Sequence, residues 1–479
     1  MRQILAFMIC LVTVLVTGEC DAARRPNILL ITADDLGMQL GCYGEKQIRT
    51  PHLDRLARDG TLFDRAYITC SLCSPSRSSI LKGLYPHQTG QLGNDDLVHV
   101  KGKQEPERRP GRFPIRPGVP NLFSVLKDAG YHVGIVGKLH VDPEAEFPME
   151  PSKLAWSYEV KKYAQAAADF LSRNAGGPFF LMVNYTDPHT PFQRQVDGLP
   201  PHPVLPGQVV PPAQFAGWEG PVAPSYAGEF ADYYNCVMRL DIGVGLLMDA
   251  LEKSGQADNT LIIFLSDNGP PFVQRGKGTC HEGGLQVPFI VRWQGHARAG
   301  VKRGELVSAV DIVPTVAEAV GIKWPGPVAG QSLIPLLQGK DVAWRRHVFG
   351  EYNTWRLVSE HCKPTRTIRD DRYRLLVHLS ALLPNRSRAK AGDSAATEPL
   401  HAWAGGAAML HKAFESFRKP PEIELYDLQA DPHERTNLAG KPELADVQKR
   451  LMNALRVWCE QTGDRLLDGM TTSETELPQ

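Results

Sequence analysis

Four short apolar segments, each followed by polar or ionisable residues, constrain the fold of this sequence most strongly. They span residues 27–32, 131–136, 179–184 and 261–265, and segments with the apolar spacing of amphipathic helices lie between them. Apolar strands that alternate with helices are typical of a large, mostly parallel sheet that is covered by helices on both faces. The sequence therefore predicts an α/β fold. In such sheets, ligands bind beyond the carboxyl ends of the strands.

Acidic and amide side chains come directly after two of these segments. Asp34 and Asp35 follow the first segment, and Asp267 and Asn268 follow the fourth. Taken singly, each pair is more readily explained by a helix cap or a turn, because Asp and Asn favour both positions. Taken together at two strand ends, the four side chains offer the oxygen ligands that a hard cation such as Ca²⁺ or Mg²⁺ prefers. The sequence therefore predicts a metal site at this edge of the sheet.

The length of the chain indicates more than one structural unit. One hydrophobic core usually serves at most about 250–300 residues, and this chain has 479. We predict a signal peptide over residues 1–23, a larger α/β unit that contains the predicted metal site over 24–340 and a smaller α+β unit over 341–479. The smaller unit is expected to contain an antiparallel sheet, with strands near 373–379 and 424–428.

The beginning of the chain has the features of a secretory signal peptide. Arg2 precedes a short apolar run over residues 4–16, and the small residues Ala22 and Ala23 suit a cleavage point. This run is shorter than the roughly 20 residues that a membrane span needs, so no stable span is predicted. We therefore expect export through the secretory pathway, with the periplasm, the extracellular space and the lysosome as the options.

The charge balance argues against one class of partner. The chain has 53 Lys and Arg residues and 53 Asp and Glu residues, which gives a formal net charge of zero. Without a global positive field, nucleic-acid binding is not expected, and any recognition of anions must be local.

Cys73 differs from the other cysteines in its surroundings. Of the nine cysteines, Cys10 and Cys20 lie in or beside the leader, and the odd number that remains leaves at least one outside intramolecular disulfides. Cys73 opens a segment with helical spacing, in which Pro75 suits the first turn and Gly83 the end. A thiol at a helix N-terminus is expected to have a lowered pKa and to be reactive. A small buried cysteine is the alternative.

The sequence around Cys73 resembles the signature of the type I sulfatase family, which belongs to the alkaline-phosphatase-like superfamily. The signature runs from Cys73 through Pro75 and Arg77 to Gly83 and continues over residues 85–90. Further matches follow the family order at 32–35, 50–54, 137–140, 187–189 and 266–269. The resemblance extends from about residue 26 to about residue 440 and implies the fold of that superfamily, with a smaller C-terminal subdomain.

This resemblance implies roles for particular residues. In the family the motif cysteine is oxidised by a maturation enzyme to formylglycine, whose hydrate is the nucleophile, so Cys73 is expected to be converted. The expected ligands of the cation, Ca²⁺ or Mg²⁺, are Asp34, Asp35, Asp267, Asn268 and residue 73. The expected catalytic side chains are Arg77 and Lys138 beside the nucleophile, His140 as a base, and His189 and Lys277 at the sulfuryl oxygens and the leaving group.

One position departs from the family pattern. Many relatives have an arginine where this chain has Gln286, within the segment 282–288. We interpret this position as structural, so the departure bears on the local alignment rather than on the activity.

Within the family, several stretches resemble the heparan N-sulfatases. They are residues 73–90, 137–144, 267–272, 366–378 and 424–434. This resemblance implies hydrolysis of the N-linked sulfate on a terminal glucosamine of heparan sulfate or heparin. The side chains expected to contact the sugar are Asp187, Glu360, His361 and Arg366.

Three other functions stay open at this point. An O-sulfatase would use the same residues on another sulfated glycan. A phosphodiesterase or phosphonate hydrolase of the same superfamily would exploit the shared geometry of sulfate and phosphate esters. A sulfated-glycan binder would result if Cys73 stayed unmodified. The expected partners are the saccharide and a sulfatase-maturation enzyme, and the oligomeric state stays open, with a homodimer as one option.

Overall fold

The fold is built on a large, mostly parallel sheet and a smaller antiparallel sheet. A computed structural model of the chain describes residues 25–94, 97–98, 107–108, 115–151, 154, 157–210, 224–271, 275–354, 362–379 and 420–465. The predicted leader lies outside these residues, as do Glu360 and His361.

Strands and helices alternate along much of the chain, as the apolar pattern predicts. The strands are β1 (Asn27–Ala33), β2 (Thr61–Tyr67), β3 (Leu97–Val98), β4 (Glu107–Arg108), β5 (His132–Gly137), β6 (Glu150–Pro151), β7 (Phe179–Asn184), β8 (Thr260–Ser266), β9 (Phe289–Arg292), β10 (Val301–Ser308), β11 (Val348–Thr354), β12 (Cys362–Arg369), β13 (Tyr373–His378) and β14 (Ile423–Asp427). The helices are α1 (Pro51–Arg58), α2 (Cys73–Lys82), α3 (Pro86–Thr89), α4 (Leu122–Asp128), α5 (Val160–Arg173), α6 (Pro224–Lys253), α7 (Glu282–Leu285), α8 (Ile312–Ala319), α9 (Ile334–Leu337) and α10 (Ala445–Thr462).

The strand order determines which loops meet. The large sheet has the order β10-β2-β9-β8-β1-β7-β5-β6, and its pairings are parallel except for the two that β9 makes. The small sheet has the order β11-β12-β13-β14 and is antiparallel. Because β8, β1, β7 and β5 are consecutive and parallel, the residues that follow them emerge side by side at one edge.

The core explains why the first apolar segment shows no alternation with polar residues. In β1, Ile28 and Leu30 pack into the hydrophobic cluster on one face of the large sheet, and Leu29 and Ile31 pack into the cluster on the other. All four side chains are buried. Burying one such side chain contributes about 1.5–3 kcal/mol to the stability of the folded state. The side chains on both faces of β1 therefore stabilise the packing of the sheet against the helices that cover it.

The predicted fold class is confirmed by this architecture. The four apolar segments form β1, β5, β7 and β8, with ends that differ from the prediction by at most one residue. The predicted antiparallel sheet of the smaller unit is present, with β13 and β14 as its expected strands. The division of the chain at residue 340 stays a prediction.

Several strands gave no signal in the sequence. β2 carries Asp64 and Arg65 in its middle, β10 carries charged residues along its first half, and β9 has only four residues. Strands of this kind lie toward one side of the sheet, where tertiary packing rather than an apolar run determines their place. Among the described residues, none of the helices combines the length and the apolar character that a membrane span requires.

Asp241 joins α6 to the start of α1 and gives a test of the fold. Its buried carboxylate accepts hydrogen bonds from the backbone N–H groups of Leu53 at 2.8 Å and His52 at 3.3 Å. Burial raises the pKa of Asp241 to about 7, against the effect of these two donors. An unfolded Asp titrates near about 4, so the folded state binds the proton more tightly and loses stability as the pH rises from about 4 to about 7.

We therefore expect Asp241→Asn to flatten the pH dependence of unfolding. The thermal midpoint of the wild type should fall relative to that of the variant between about pH 4.5 and pH 7.5 and then run parallel to it. Asp169→Asn, which removes a carboxylate from the exposed face of α5, controls for the charge change. A wild-type midpoint that rises relative to Asp241→Asn over this window would contradict the assignment.

Candidate active site

The polar residues that follow β1, β8, β5 and β7 meet at the carboxyl edge of the large sheet, facing the start of α2. Asp34 and Asp35 follow β1, and Asp267 and Asn268 follow β8. Lys138 and His140 follow β5, His189 follows β7, Cys73 and Arg77 lie on α2, and Lys277 lies in the segment between β8 and α7. The predicted catalytic and metal-binding residues are thus brought together around one buried point.

Asp34 is buried among cationic side chains. Its Oδ2 accepts hydrogen bonds from Lys138 Nζ at 2.7 Å and from Arg77 Nη2 at 3.4 Å, and Cys73 Sγ lies 3.5 Å from its Oδ1. Burial alone would raise the pKa of Asp34, but the charges of the surrounding cations, Lys138 foremost, outweigh it and hold the pKa well below the usual range. Asp34 is therefore an anion over the whole working pH range.

Asp35 and Asn268 face each other across the site. Asp35 Oδ1 accepts from Asn268 Nδ2 and from Lys277 Nζ, each at 2.6 Å. The backbone of Asp35 has a φ of 69°, in the left-handed region that non-glycine residues seldom occupy. Its N–H donates to Asp267 Oδ1 at 3.1 Å, which links the chain after β1 to the chain after β8.

Asp267 completes the acidic group and holds Arg77. Its Oδ2 lies 2.9 Å from Arg77 Nε and 2.8 Å from Arg77 Nη2. Burial and the nearby charge of Asp34 raise the pKa of Asp267 to about 6, in spite of Arg77. Two buried carboxylates require compensating positive charge, which Arg77 supplies to both and Lys138 supplies to Asp34.

The residues present fit a divalent cation. Ligand atoms of Asp34, Asp35, Cys73 and His189 lie within 4.8 Å of one another. Asn268 Oδ1 is buried and has no hydrogen-bond partner among the described residues. Buried polar atoms nearly always have a partner. A cation bound between Asn268 Oδ1 and the three neighbouring carboxylates would supply the partner that this oxygen lacks. Oxygen donors of this kind suit Ca²⁺ or Mg²⁺.

The expected lowering of the pKa of Cys73 is wrong for the unmodified thiol. The side chain is 1% exposed, and burial together with Asp34 raises its pKa to about 12, against the charges of Lys138 and Lys277. Lys277 Nζ approaches the sulfur to 3.1 Å. Cys73 lies at the helix N-terminus, as predicted, but burial affects its pKa more strongly than the helix N-terminus does. An unmodified thiol would be protonated here and would be a poor nucleophile.

His189 presents one ring nitrogen to the site. Its Nδ1 lies 2.6 Å from the carbonyl oxygen of Thr190, and because a carbonyl only accepts, Nδ1 carries the hydrogen. Nε2 faces Asp35 Oδ2 at 3.7 Å. Burial lowers the pKa of His189, although Asp35 opposes this. The hydroxyl of Tyr158 donates to the Thr190 carbonyl at 3.0 Å and supports this segment. No motif in the sequence marks Tyr158 as a residue of the site.

His140 lies half-buried at the same edge of the sheet. Its Nδ1 has no hydrogen-bond partner among the described residues, and its backbone has a φ of 56°. Burial and the charge of Lys138 hold the pKa of His140 well below its usual value. A neutral imidazole is the form that a general base requires.

Two of the four residues predicted to contact the sugar, Asp187 and Arg366, are buried. Both oxygens of Asp187 accept from Arg239, at 2.6 and 2.8 Å, and both side chains are buried. Arg366 is fully buried and donates to Asp464 and to the carbonyl of Tyr352. Glu360 and His361 lie outside the described residues. Contact of these four residues with a sugar stays a prediction.

A second cluster of potential ligands does not fit a cation. His87, Glu351 and Asp464 have ligand atoms within 4.8 Å of one another, but the guanidinium of Arg366 donates to Asp464 in the same place. Burial opposes protonation of His87, but the charge of Glu351 outweighs it and raises the pKa of His87, so His87 and Arg366 together offset the two carboxylates. Gln286 lies apart from both clusters, in the wall of a cavity of about 280 Å³. Its Nε2 donates to the carbonyl of Asp64 at 2.9 Å, as a structural residue would.

We expect Arg239→Met to destabilise the folded protein by about 3 kcal/mol, because it leaves the carboxylate of Asp187 buried and unpaired. Urea unfolding followed by circular dichroism measures this change. Arg194→Met is the matched control, since Arg194 pairs with Asp232 at 2.7 Å but is 43% exposed, and exposed pairs contribute at most about 1 kcal/mol. Equal losses in the two variants would contradict the importance of the buried pair.

Comparison with known proteins identifies two matching family models. The model described as Sulfatase matches residues 26–322. The model described as N-sulphoglucosamine sulphohydrolase, C-terminal, matches residues 275–382.

Similar proteins cover nearly the whole chain. Human N-sulphoglucosamine sulphohydrolase is 31% identical over 488 residues, which cover 95% of this chain and 94% of that protein. Human arylsulfatase A is 30% identical over 487 residues, covering 90% and 87%. An ulvan-active sulfatase of Formosa agariphila is 27% identical over 456 residues, covering 94% and 82%.

Solved structures share the fold. One is the structure of a protein in complex with its substrate D-glucosamine-2-N,6-O-disulfate, with a TM-score of 0.69 and 22% identity over 92% of this chain and 99% of that chain. Another is phosphonate monoester hydrolase of Agrobacterium radiobacter, with a TM-score of 0.66 and 21% identity over 93% of this chain and 97% of that one.

Proposed function

The chain belongs to the sulfatase family, and from that premise we propose that it hydrolyses the N-linked sulfate of a terminal glucosamine in heparan sulfate or heparin. The observation that carries the proposal is the convergence of Cys73, two lysines and two histidines on a group of acids that fits a cation. The choice of substrate is supported by human N-sulphoglucosamine sulphohydrolase, which is 31% identical along 95% of this chain.

Two groups have to be added before this site can work. When a divalent cation is bound by Asp34, Asp35, Asp267 and Asn268, it supplies a Lewis acid that polarises a sulfuryl oxygen. When Cys73 has been converted to formylglycine, its hydrate supplies the nucleophile that the buried, protonated thiol lacks. We propose Ca²⁺ as the cation, with Mg²⁺ as the alternative, and a formylglycine-generating or other sulfatase-maturation enzyme as a partner of the chain.

The cationic side chains act on the charge of the sulfate group. Lys277 Nζ lies 3.1 Å from Sγ of residue 73, so it faces a sulfuryl group that approaches this residue. Lys138 lies on the other side, 2.7 Å from Asp34. Fixed cations in a buried site offset the repulsion between an anionic substrate and a nucleophile. Each such contact stabilises the transition state by about 3 kcal/mol. Arg77 bridges Asp34 and Asp267 and keeps both carboxylates in place.

The two histidines would serve as the proton donor and the proton acceptor of the reaction. Because the Thr190 carbonyl accepts from Nδ1–H of His189, Nε2 is the nitrogen that faces the site, and the ring would have to be protonated there, as an imidazolium, to give a proton to the departing amine. An amine leaves with its electron pair only if a proton arrives at the nitrogen, so a donor at this place is needed for a sulfamate. His140, which its surroundings hold neutral, would take up the proton that the nucleophile releases.

A direct comparison of substrates tests the proposal. With the enzyme from its native host, sulfate release would be measured for N-sulfoglucosamine and N-acetylglucosamine-6-O-sulfate, and alcohol release for a phosphonate monoester. We expect kcat/KM for N-sulfoglucosamine to exceed the other two by at least about tenfold. A preference for the O-sulfate would show an O-sulfatase, and a preference for the phosphonate would show a phosphonate hydrolase. Binding of all sulfated sugars without turnover would favour the glycan-binding alternative.

Compartment and organisation are part of the same proposal. We propose that the chain is exported through the secretory pathway by a signal peptide over residues 1–23, and that the catalytic unit is followed by a smaller C-terminal unit from about residue 341. The exported enzyme would then act on its anionic saccharide outside the cytoplasm, in the periplasm, the extracellular space or the lysosome.

A further inference from the structure

The side chain of Asn184 connects three neighbouring strands at the edge of the sheet that carries the site. Asn184 ends β7, which lies between β1 and β5. In the strand register it is opposite Thr32 on one side and Gly137 on the other. A short polar side chain at this place can reach sideways to both neighbours. It is fully buried, so its polar atoms depend on protein partners.

Both ends of the Asn184 amide are used. Its Oδ1 accepts from Thr32 Oγ1 at 2.5 Å, and its Nδ2 donates to the carbonyl oxygen of Lys138 at 2.7 Å. A single side chain thus fixes the last residue but one of β1 and the first residue after β5. None of these contacts involves a reacting group, so Asn184 can act only through Lys138 and Thr32.

Arg77 closes the same set of hydrogen bonds. Its Nη1 donates to Thr32 Oγ1 at 3.3 Å and to the Lys138 carbonyl at 3.2 Å. The hydroxyl of Thr32 therefore donates to Asn184 and accepts from Arg77, and the Lys138 carbonyl accepts from both side chains. The guanidinium that holds Asp34 and Asp267 is oriented by the two groups that Asn184 holds.

The backbone at Gly137 requires this close approach. Gly137 has a φ of 94°, and a Cβ at this position would lie 2.1 Å from the carbonyl oxygen of Asn184. Only glycine allows the chain to leave β5 so tightly against β7. The turn aims the Lys138 carbonyl at Asn184 Nδ2, and it sends the Lys138 side chain toward Asp34, where Nζ lies 2.7 Å from Oδ2.

From this geometry we infer that Asn184 is a positioning residue, which sets the direction of Lys138 and Arg77 toward the nucleophile and the metal-binding acids. The consequence for catalysis rests on the proposed function, but the structural consequence does not. A displacement of about 1 Å in a catalytic group lowers turnover by about 100-fold. Loss of the Asn184 amide is therefore expected to act on kcat and to leave the affinity for the sugar nearly unchanged.

Asn184→Leu tests the inference, because leucine keeps the volume and removes both hydrogen bonds. We expect kcat for N-sulfoglucosamine to fall by about 10–100-fold with KM changed by less than about threefold. In a Lys138→Ala background the further loss should be smaller than about threefold, since the two residues act as one unit. A crystal structure of Asn184→Leu should show Lys138 Nζ displaced from its hydrogen bond to Asp34.

Asn235→Leu is the matched control. Asn235 is also fully buried with both amide atoms engaged, donating to and accepting from the backbone of Val204 at 2.8 Å, but it lies on α6 outside the site. It should lose a similar amount of stability and keep the wild-type kcat. If Asn184→Leu does not fold, Thr32→Val, which removes the donor to Asn184 and the acceptor of Arg77, should lower kcat in the same way.

The outcomes separate the inference from the proposed function. A variant structure in which Lys138 Nζ stays at Asp34 would overturn the inference, whatever the activity. A kcat loss equal to that of Asn235→Leu would overturn it as well. If the wild type hydrolyses no sulfated sugar, the proposed function is wrong. The inference about Asn184 would still be tested by whether Lys138 Nζ is displaced in the variant structure.

Discussion

Replacement of Cys73 by alanine is expected to abolish sulfate release, with kcat/KM lowered by at least about 10⁴-fold, as is usual when a covalent nucleophile is removed. The reason is structural as well as chemical. The side chain at position 73 is enclosed between Asp34 and Lys277, at 3.5 and 3.1 Å from the sulfur, so a water molecule has no equivalent support at this point. The measurement is sulfate release from N-sulfoglucosamine.

Cys42→Ala controls for the loss of a thiol. Cys42 is half-buried beside α1, with its N–H donating to Asp54 at 2.7 Å, and it takes no part in the site. This variant should retain wild-type kcat/KM. The fold of Cys73→Ala is checked by its thermal midpoint, since methyl replaces a small buried side chain. Activity of Cys73→Ala above about 1% of wild type would contradict the assignment of the nucleophile.

Asp35→Asn is expected to cause the second large loss, of about 10³-fold in kcat/KM, together with loss of bound cation. Asp35 supplies a carboxylate to the metal-binding acids and is the partner of Lys277 at 2.6 Å. Substitution by the isosteric amide removes its charge, and cation affinity follows the number of charged ligands. Metal content after dialysis, measured by mass spectrometry, and activity give the two readouts.

Metal removal from the wild type makes the same test without a mutation. A chelator should abolish activity, and Ca²⁺ or Mg²⁺ should restore it. The cation that the site binds more tightly should restore activity at the lower concentration. Asp64→Asn is the control variant, because Asp64 forms an exposed pair with Lys302 at 2.8 Å and should keep both metal and activity. Full activity of Asp35→Asn, or of the wild type after complete removal of metal, would argue against a metal centre at these acids.

The positions of the site residues along the chain could be predicted because the site follows from the sheet. An apolar segment such as 261–265 predicts a buried strand, and the polar residues directly after it must emerge at the carboxyl edge. For Asp34 and Asp267 this is sufficient, since β1 and β8 are neighbours. The motif around Cys73 adds the helix that faces them.

Features that depend on tertiary packing could not be predicted in this way. The pKa of Cys73 rises because the folded chain buries the thiol beside Asp34, and burial outweighs the helix N-terminus that the sequence does reveal. Asp187 pairs with Arg239, which lies 52 residues away in α6, and no local pattern indicates such a pair. Asn184 reads as the last residue of a strand, and its role depends on the strand order.

The central claim, that residue 73 is the nucleophile of a sulfatase in modified form, is tested most directly by peptide mass spectrometry. Protein from the native host would be digested with trypsin, and the peptide from Ala66 to Arg77 contains both Cys70 and Cys73. Cys70 serves as an internal reference that should remain a thiol. We predict that position 73 shows the mass loss of a thiol converted to an aldehyde. An unmodified Cys73 in folded native protein would contradict the sulfatase mechanism and leave a binder of sulfated glycans as the better account.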